Sequence, residues 1–343
     1  MTPIVAAQLG PAEIRFVLYL GAIVAATLGG YAGRRAGFLN PAWARPVMST
    51  TIVVCDAPIA WLAIWHLVIP PGVWKVPVAG GVVAVVLCLA GLAVARLRRM
   101  PPADAAVFGL QAGMGNVGYT LGGGICFALW GIQGLALEQM YCLMWPFFAF
   151  LFCFPLARHW GEVAGGVPRH ASGLAYAART LGRSLTDVRS LPLYLATLGL
   201  ALNLWGPGPP AAIQRWHVLD VLMTVGIVIQ FGSIGMTVQG RRLAVFWKTA
   251  LGSTALKLIV SPIVMVGVAL ALGLTDMPLY VCLILSAMPA AVYSVLMANL
   301  FGLNRDLANT TFILSHAVCL TAMVLVAVAW RAGGWTMPPA LAH

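Results

Sequence analysis

Charged residues are scarce in this sequence, and acidic ones especially so. Of its 343 residues only 8% are charged and only nine are Asp or Glu, whereas 61% are hydrophobic. An ordinary soluble protein has roughly 25% charged residues, so this composition excludes a water-soluble fold. The surplus of basic residues gives a net charge of +11. Such a charge suits a nucleic acid or an acidic membrane surface, and the positions of the basic residues decide between the two.

The sequence also lacks the motifs that identify enzymes and metal proteins. All seven cysteines lie in apolar stretches without the spacing of a metal site, and we interpret them as packing residues. It contains no Walker loop, His-Glu metal motif or nucleophile elbow. The first twelve residues have no basic residue and no long apolar core, unlike a cleaved signal peptide. We therefore expect a protein that is not an enzyme and needs no cofactor or metal ion.

Long apolar stretches dominate what remains. A helix that crosses the hydrocarbon core needs about 20 residues with few charges. Ten segments meet this requirement once two of them are extended over internal charges, to 46–74 and 243–272. Their uncharged runs are residues 16–33, 57–74, 76–95, 105–137, 139–157, 190–214, 221–240, 258–275, 277–304 and 307–330. The pattern predicts an all-α polytopic membrane protein with ten transmembrane helices.

The basic residues lie mainly in alternate loops. Fourteen of the twenty Lys and Arg follow the first, third, fifth and seventh segments, five lie on the opposite side, and Lys257 lies within a helix. Cytoplasmic loops are enriched in Lys and Arg, so we predict that these four loops are cytoplasmic and both termini outside. The charge then reports contact with anionic lipid rather than with a nucleic acid.

The two halves of the chain resemble each other. Asp104 opens a long apolar segment that ends at Gly131, and Asp276 opens one that ends at Gly302. The two segments are therefore offset by 172 residues at the start and 171 at the end. Since each half has five helices, an odd number, the second must be inverted relative to the first. The predicted organisation is a five-helix repeat, a basic cytoplasmic loop and a second repeat, at residues 1–158, 159–188 and 189–343.

The fourth and ninth segments contain residues that interrupt a helix. Residues 113–119 read Gly-Met-Gly-Asn-Val-Gly-Tyr and residues 288–291 read Met-Pro-Ala-Ala. Gly and Asn weaken a helix, and Pro removes a backbone donor. Paired interruptions point to a substrate site at the bilayer midplane, where freed N–H groups favour an anion. Glycine packing and an ordinary proline kink are the alternative. The predicted substrate-binding residues are Gly115, Asn116, Gly118, Pro289 and Ala290, with Gln230 and Ser294 as further polar candidates.

Two charges lie near the middle of predicted helices. Asp56 lies two residues before Pro58, and Lys257 lies five residues before Pro262. Both prolines are predicted helix breaks. A carboxylate there can take up a proton, and a lysine can neutralise that carboxylate or an anionic substrate. We predict a coupling or charge-pair role for Asp56 and Lys257; the alternative is that they pair with each other or with backbone carbonyls to hold the bundle together.

The remaining polar residues are weaker candidates. His316 is expected to be a satisfied core histidine. The others within apolar segments are Gln111, Asn203 and Ser233. Five carboxylates stand at the ends of predicted helices, where they are expected to act as caps: Asp104, Glu138, Asp220, Asp276 and Asp306.

These residues together resemble the auxin efflux carrier family of ten-helix permeases, whose bacterial members include malonate and malate transporters. The resemblance runs over nearly the whole chain. It is carried by residues 28–40 after the first segment, Gly115–Tyr119 with Ala128–Gly131, Leu191–Pro192 with Leu198–Asn203, Leu256–Leu258 with Pro262, and Ala287–Ala291 with Ala298–Asn299.

The resemblance implies a sodium/proton-antiporter-like fold of two inverted repeats with crossed, broken fourth and ninth helices. Helices 1, 2, 6 and 7 would form a scaffold, and helices 3, 4, 5, 8, 9 and 10 a transport domain that moves like an elevator. A small organic anion would bind beside the crossing. The protein would lie in a bacterial inner (plasma) membrane, and whether it forms a homodimer is left open. Asp56 departs from the family pattern, where a neutral polar residue is usual, and Gln230 and Gly232 stand where a proline is expected. These departures leave the coupling ion open, with protons favoured over sodium.

Other functions remain as alternatives. A sodium-coupled relative of the bile-acid symporters shares the ten-helix plan, but the ninth segment has no acidic residue beside its break to help hold sodium. A polytopic membrane enzyme, or a photoreceptor with Lys257 as Schiff base, belongs to another class and lacks supporting motifs. A channel would be revealed by single-channel currents.

Overall fold

The structure is a computed structural model that describes residues 11–69, 71–165, 188–237 and 240–332, together with residues 182 and 186. The secondary structure of the described residues is helical apart from one isolated β-bridge. The predicted outer termini and most of the predicted loop over 159–188 lie outside the described residues.

In the first half of the chain, helices α2 and α3 are joined by the π-helical turn Ile52–Asp56, α6 is preceded by the turn Tyr119–Gly123, and α7 and α8 are joined by Phe148–Cys153. The helices are α1 (Pro11–Arg35), α2 (Ala44–Thr51), α3 (Ala57–Trp65), α4 (Lys75–Leu97), α5 (Pro102–Gly113), α6 (Gly124–Cys142), α7 (Trp145–Phe147) and α8 (Phe154–Ala164).

In the second half, the π-helical turn Leu256–Val260 joins α12 to α13. The helices are α9 (Leu191–Trp205), α10 (Ala211–Arg215), α11 (Val218–Thr237), α12 (Gly240–Ala255), α13 (Ser261–Leu272), α14 (Asp276–Ser286), α15 (Val292–Leu300) and α16 (Arg305–Ala332).

Seven helical stretches of the described residues are long and apolar enough to cross a membrane, and α9 and α14 are apolar but shorter. The seven are Val17–Arg35, Pro41–Trp65, Lys75–Leu97, Leu121–Cys142, Val218–Met236, Ala244–Leu272 and Arg305–Val326. Large apolar side chains on their outer faces are exposed, Leu270 to 73% and Ile263 to 65%. Such exposure is expected where the helices are surrounded by lipid hydrocarbon chains rather than by water. The predicted all-α polytopic membrane protein is confirmed, while the count of ten crossings stays a prediction.

The boundary between the fourth and fifth segments that the uncharged runs place at Glu138 is wrong. The chain leaves helical geometry at Gly131 (φ 62°, ψ −146°), where the comparison of the two halves ends the fourth segment. Only glycine adopts this conformation without strain. Glu138 lies in the helical turns that follow and is fully buried, so it does not act as an exposed cap.

Close packing joins helices of the two halves. α1 packs along α11, and α3 packs along α9. A side chain on Gly30 would collide with the backbone of Gly232, so glycines on both helices allow α1 and α11 to touch. Asn203 of α9 donates hydrogen bonds from Nδ2 to three carbonyl oxygens at the end of α3, those of Ile64, Trp65 and Leu67, at 2.7 to 3.1 Å. These bonds satisfy helix-end carbonyls, which gives Asn203 a structural role.

Candidate functional site

The two interrupted segments meet in the interior of the protein. Residues 114–118 leave helical geometry after α5, residues 287–291 do so after α14, and we call them the paired breaks. Gly115 and Ala290 form an antiparallel bridge. The Asn116 N–H donates to the Pro289 carbonyl at 2.7 Å, and the Ala291 N–H donates to the Met114 carbonyl at 2.9 Å. Because buried backbone groups need partners, each break satisfies groups that the other has freed from its helix.

Helix α16 supports both breaks. The Ala290 N–H donates to Ser315 Oγ at 3.1 Å. His316 Nδ1 lies 2.8 Å from the Phe312 carbonyl, and its Nε2 lies 3.1 Å from Asn116 Nδ2. A carbonyl can only accept, so Nδ1 carries the proton and Nε2 accepts from the Asn116 amide. His316 is thus a buried neutral histidine that orients Asn116.

A cavity of about 280 Å³, the central cavity, lies beside the paired breaks. One wall comes from the breaks, from α6 and the residue after it, from α7 and from the start of α15: Gly115, Asn116, Val117, Gly118, Glu138, Gln139, Cys142, Leu143, Trp145, Ala291, Val292 and Tyr293. The other lining residues, the second wall, come from α2 and its π-helical turn, from α9 and the residue before it, and from α11: Met48, Ile52, Asp56, Ser190, Pro192, Leu193, Ala196 and Gln230. The start of α15 at Val292 borders the cavity, and a helix start carries partial positive charge.

The structure brings five of the predicted site residues to this cavity: Gly115, Asn116, Gly118, Gln230 and Asp56. Of the others, Pro289 and Ala290 belong to the backbone contact between the breaks. Ser294 is buried and donates from Oγ to the Ala291 carbonyl at 2.6 Å, and it does not line the cavity.

Lys257 lies on the other side of Gly115. It borders a separate cavity of about 20 Å³ and is only 4% exposed. A Cβ on Gly115 would lie 2.9 Å from both Cε and Nζ of Lys257. Among the described residues Lys257 forms no ion pair, and the roles predicted for Lys257 and Asp56 stay predictions. The missing side chain of Gly115 lets the ammonium group approach the backbone of the break.

Pro58 and Pro262 each follow one of these charged residues. Pro58 stands in the first turn of α3, after the π-helical turn that contains Asp56, and Pro262 in the first turn of α13, after the turn that contains Lys257. Proline has no N–H for the carbonyl four residues before it, and a widened turn accommodates the loss. Both intramembrane charges therefore lie in locally unwound helix.

Sequence reasoning missed Glu138 and Tyr293. Glu138 interrupts an apolar stretch that otherwise runs from residue 105 to 157. If Glu138 is interpreted as a charge inside one long apolar stretch rather than as a boundary between two, it becomes a candidate functional residue like Asp56. Tyr293 packs edge-to-face on Trp145, with ring centroids 4.6 Å apart, and no sequence signal distinguishes it from an ordinary interfacial tyrosine.

Comparison with known proteins identifies a family. Residues 221–327 match a family model described as membrane transport protein, which is the family of the auxin efflux carriers, and the resemblance predicted from the sequence is confirmed. The match includes Gln230, Lys257 and the second of the paired breaks. A search of the curated proteins finds no match to the chain.

Proposed function

Because residues 221–327 match the membrane transport protein family, we propose that this chain is a secondary active transporter that moves a small organic anion, a carboxylate, across the membrane. A role in membrane transport follows from the family. The substrate class, the mechanism and the coupling to protons are the further content of the proposal.

The central cavity is the observation that carries the proposal. Its two walls come from the two sets of helices that the resemblance assigns to a transport domain and a scaffold. Asp56, Pro192 and Gln230 lie on the scaffold side and Asn116, Glu138 and Ala291 on the other. An elevator-type movement of one wall against the other would carry a bound molecule with it and expose the cavity on alternate sides. The positive φ of both Gly131 and Gly302, offset by 171 residues, supports the inverted repeat.

The chemistry of the transport-domain wall favours a carboxylate. The Asn116 side chain can present its amide, the start of α15 supplies partial positive charge, and Lys257 lies directly behind Gly115. The volume of about 280 Å³ is near the lower limit of about 300 Å³ for drug-sized pockets, so a small substrate is favoured. Asp56 is the proposed proton-linked group. The cavity of about 20 Å³ that Lys257 borders is far smaller than the pockets of about 300 Å³ or more that hold drug-sized ligands, which disfavours the photoreceptor alternative.

Reconstitution tests the proposal. The full chain in proteoliposomes should take up radiolabelled malonate, malate or phenylacetate, and an imposed pH gradient should accelerate uptake. An Asn116→Leu variant that still folds should be inactive, since it lacks the amide at the cavity. Absence of uptake for every anion in the panel would refute the proposed substrate class. Uptake that depends on sodium and not on the pH gradient would favour the symporter alternative.

A further inference from the structure

Glu138 forms part of the wall of the central cavity. It is fully buried, and it borders the cavity together with Gln139 and Cys142. A side chain on Gly123 would occupy the position of the Glu138 carboxyl group, so the glycine provides the space that the carboxyl group fills. The carboxyl group is therefore held in one place beside the substrate cavity.

No basic group among the described residues neutralises Glu138. Gln139 Nε2 donates to Oε2 at 2.7 Å, and Cys142 Sγ donates to Oε1 at 2.9 Å. Both donors are uncharged, and both belong to the same helix as the carboxyl group.

In the part of the chain that the structure describes, the titratable groups that interact with Glu138 are acidic or neutral as well. Tyr19 faces it from α1, Asp56 from the turn between α2 and α3, and Cys126 and Cys142 from α6. Among the described residues Glu138 is in no ion pair.

A buried carboxylate with no counter-charge is costly, because the protein interior solvates charge poorly. An anion that enters the same cavity adds repulsion to this cost. Binding of one proton to the carboxylate removes both penalties. We propose that Glu138 takes up a proton as the anionic substrate binds and releases it on the opposite side of the membrane, as a second proton-coupling residue beside Asp56. This inference rests on the proposed function.

Proton movement and anion movement can be measured separately. The full chain is reconstituted with a pH-sensitive dye inside the vesicles, and uptake of labelled malonate, malate and phenylacetate is followed in parallel. Glu138→Gln replaces the carboxyl group with a neutral isostere, and Glu138→Asp keeps an acid. Glu162→Gln is the matched control, since Glu162 pairs at 2.7 Å with Arg158 on α8 and does not line the cavity.

The wild type and Glu162→Gln should couple anion uptake to proton entry. Glu138→Gln should retain exchange of labelled for unlabelled anion within about twofold and lose proton entry and gradient-driven accumulation by about tenfold or more. Glu138→Asp should restore part of the proton entry.

Proton entry that persists in Glu138→Gln would overturn the inference without contradicting the proposed anion transport. Anion uptake by the wild type without proton movement would have the same meaning. A folded Glu138→Gln protein that has also lost exchange would overturn it too, since that result indicates a binding role. If Glu138→Gln does not fold, an altered pH dependence of uptake in Glu138→Asp supports the inference and an unchanged one overturns it. No uptake of any anion by the wild type would refute the proposed function and this inference with it.

Discussion

Gly115 determines how closely Lys257 approaches the paired breaks. Its hydrogen atom occupies the place of a Cβ that would lie 2.9 Å from both Cε and Nζ of Lys257, a distance that real Cβ contacts do not reach. The backbone of the break cannot move away, because the Asn116 N–H and the Ala291 N–H tie it to the other break. Any added side chain must therefore displace the lysine.

Gly115→Ala should for this reason reduce transport by about tenfold or more, equivalent to about 1.4 kcal/mol, with the protein still folded. Uptake of labelled anion by proteoliposomes measures the effect. Gly267→Ala is the control, because Gly267 is an exposed glycine of α13 with open space at its Cβ position. In a Lys257→Ala background Gly115→Ala should have no further effect, and a persistent loss there would show that displacement of Lys257 is not the cause.

Asn116 and His316 should be energetically coupled, since the amide donates to Nε2 of the histidine at 3.1 Å. Asn116→Leu and His316→Phe each remove this bond, and the double variant should be less destabilised than the sum of the two single variants. An interaction energy of about 0.5–3 kcal/mol is typical of residues in contact. Thermal unfolding of the purified variants measures it, and additivity would indicate that the bond contributes nothing.

At the scale of elements, the turn at Gly131 connects the fourth and fifth segments. Its φ of 62° and ψ of −146° lie in a region that is open only to glycine, and a side chain there costs about 1–3 kcal/mol. Gly131→Ala should therefore lower the unfolding midpoint of the purified protein. Gly267→Ala, within a regular helix, should raise it or leave it unchanged. Equal unfolding midpoints for the two variants would contradict the positive-φ backbone conformation at Gly131.

The helix interruptions were predictable and their contact was not. Residues 113–119 and the Pro289 segment contain local helix breakers, so the sequence alone locates both. That Asn116 bonds to Pro289 and His316, or that Lys257 packs on Gly115, depends on tertiary contacts between residues 142 to 200 positions apart in the chain. No local pattern encodes these contacts. Glu138 was misplaced because a buried charge and a helix end look alike in a hydropathy pattern.

At the scale of the whole molecule, helices of the proposed scaffold and of the proposed transport domain both border the central cavity. Gly30 contacts the backbone of Gly232 and Gly235 that of Thr27, so α1 and α11, both of the proposed scaffold, approach closely. The paired breaks hold the other set together through backbone hydrogen bonds. Each set therefore has close internal contacts, which the proposed movement of one set against the other would leave intact.

Cys142 provides a test of that movement within the natural sequence. It borders the central cavity and is only partly buried, whereas the other six cysteines are buried. A membrane-impermeant maleimide should therefore label the folded protein at Cys142 alone.

If the transport-domain wall moves between the two sides, the maleimide should reach Cys142 from inside the vesicles and, in a separate experiment, from outside. Saturating substrate should slow labelling from both sides, since the anion and the reagent compete for one cavity. Cys142→Ser keeps a hydrogen-bond donor for Glu138 and should remain unlabelled. Labelling from one side only, with and without substrate, would mean that the cavity opens to a single compartment and would exclude alternating access through it.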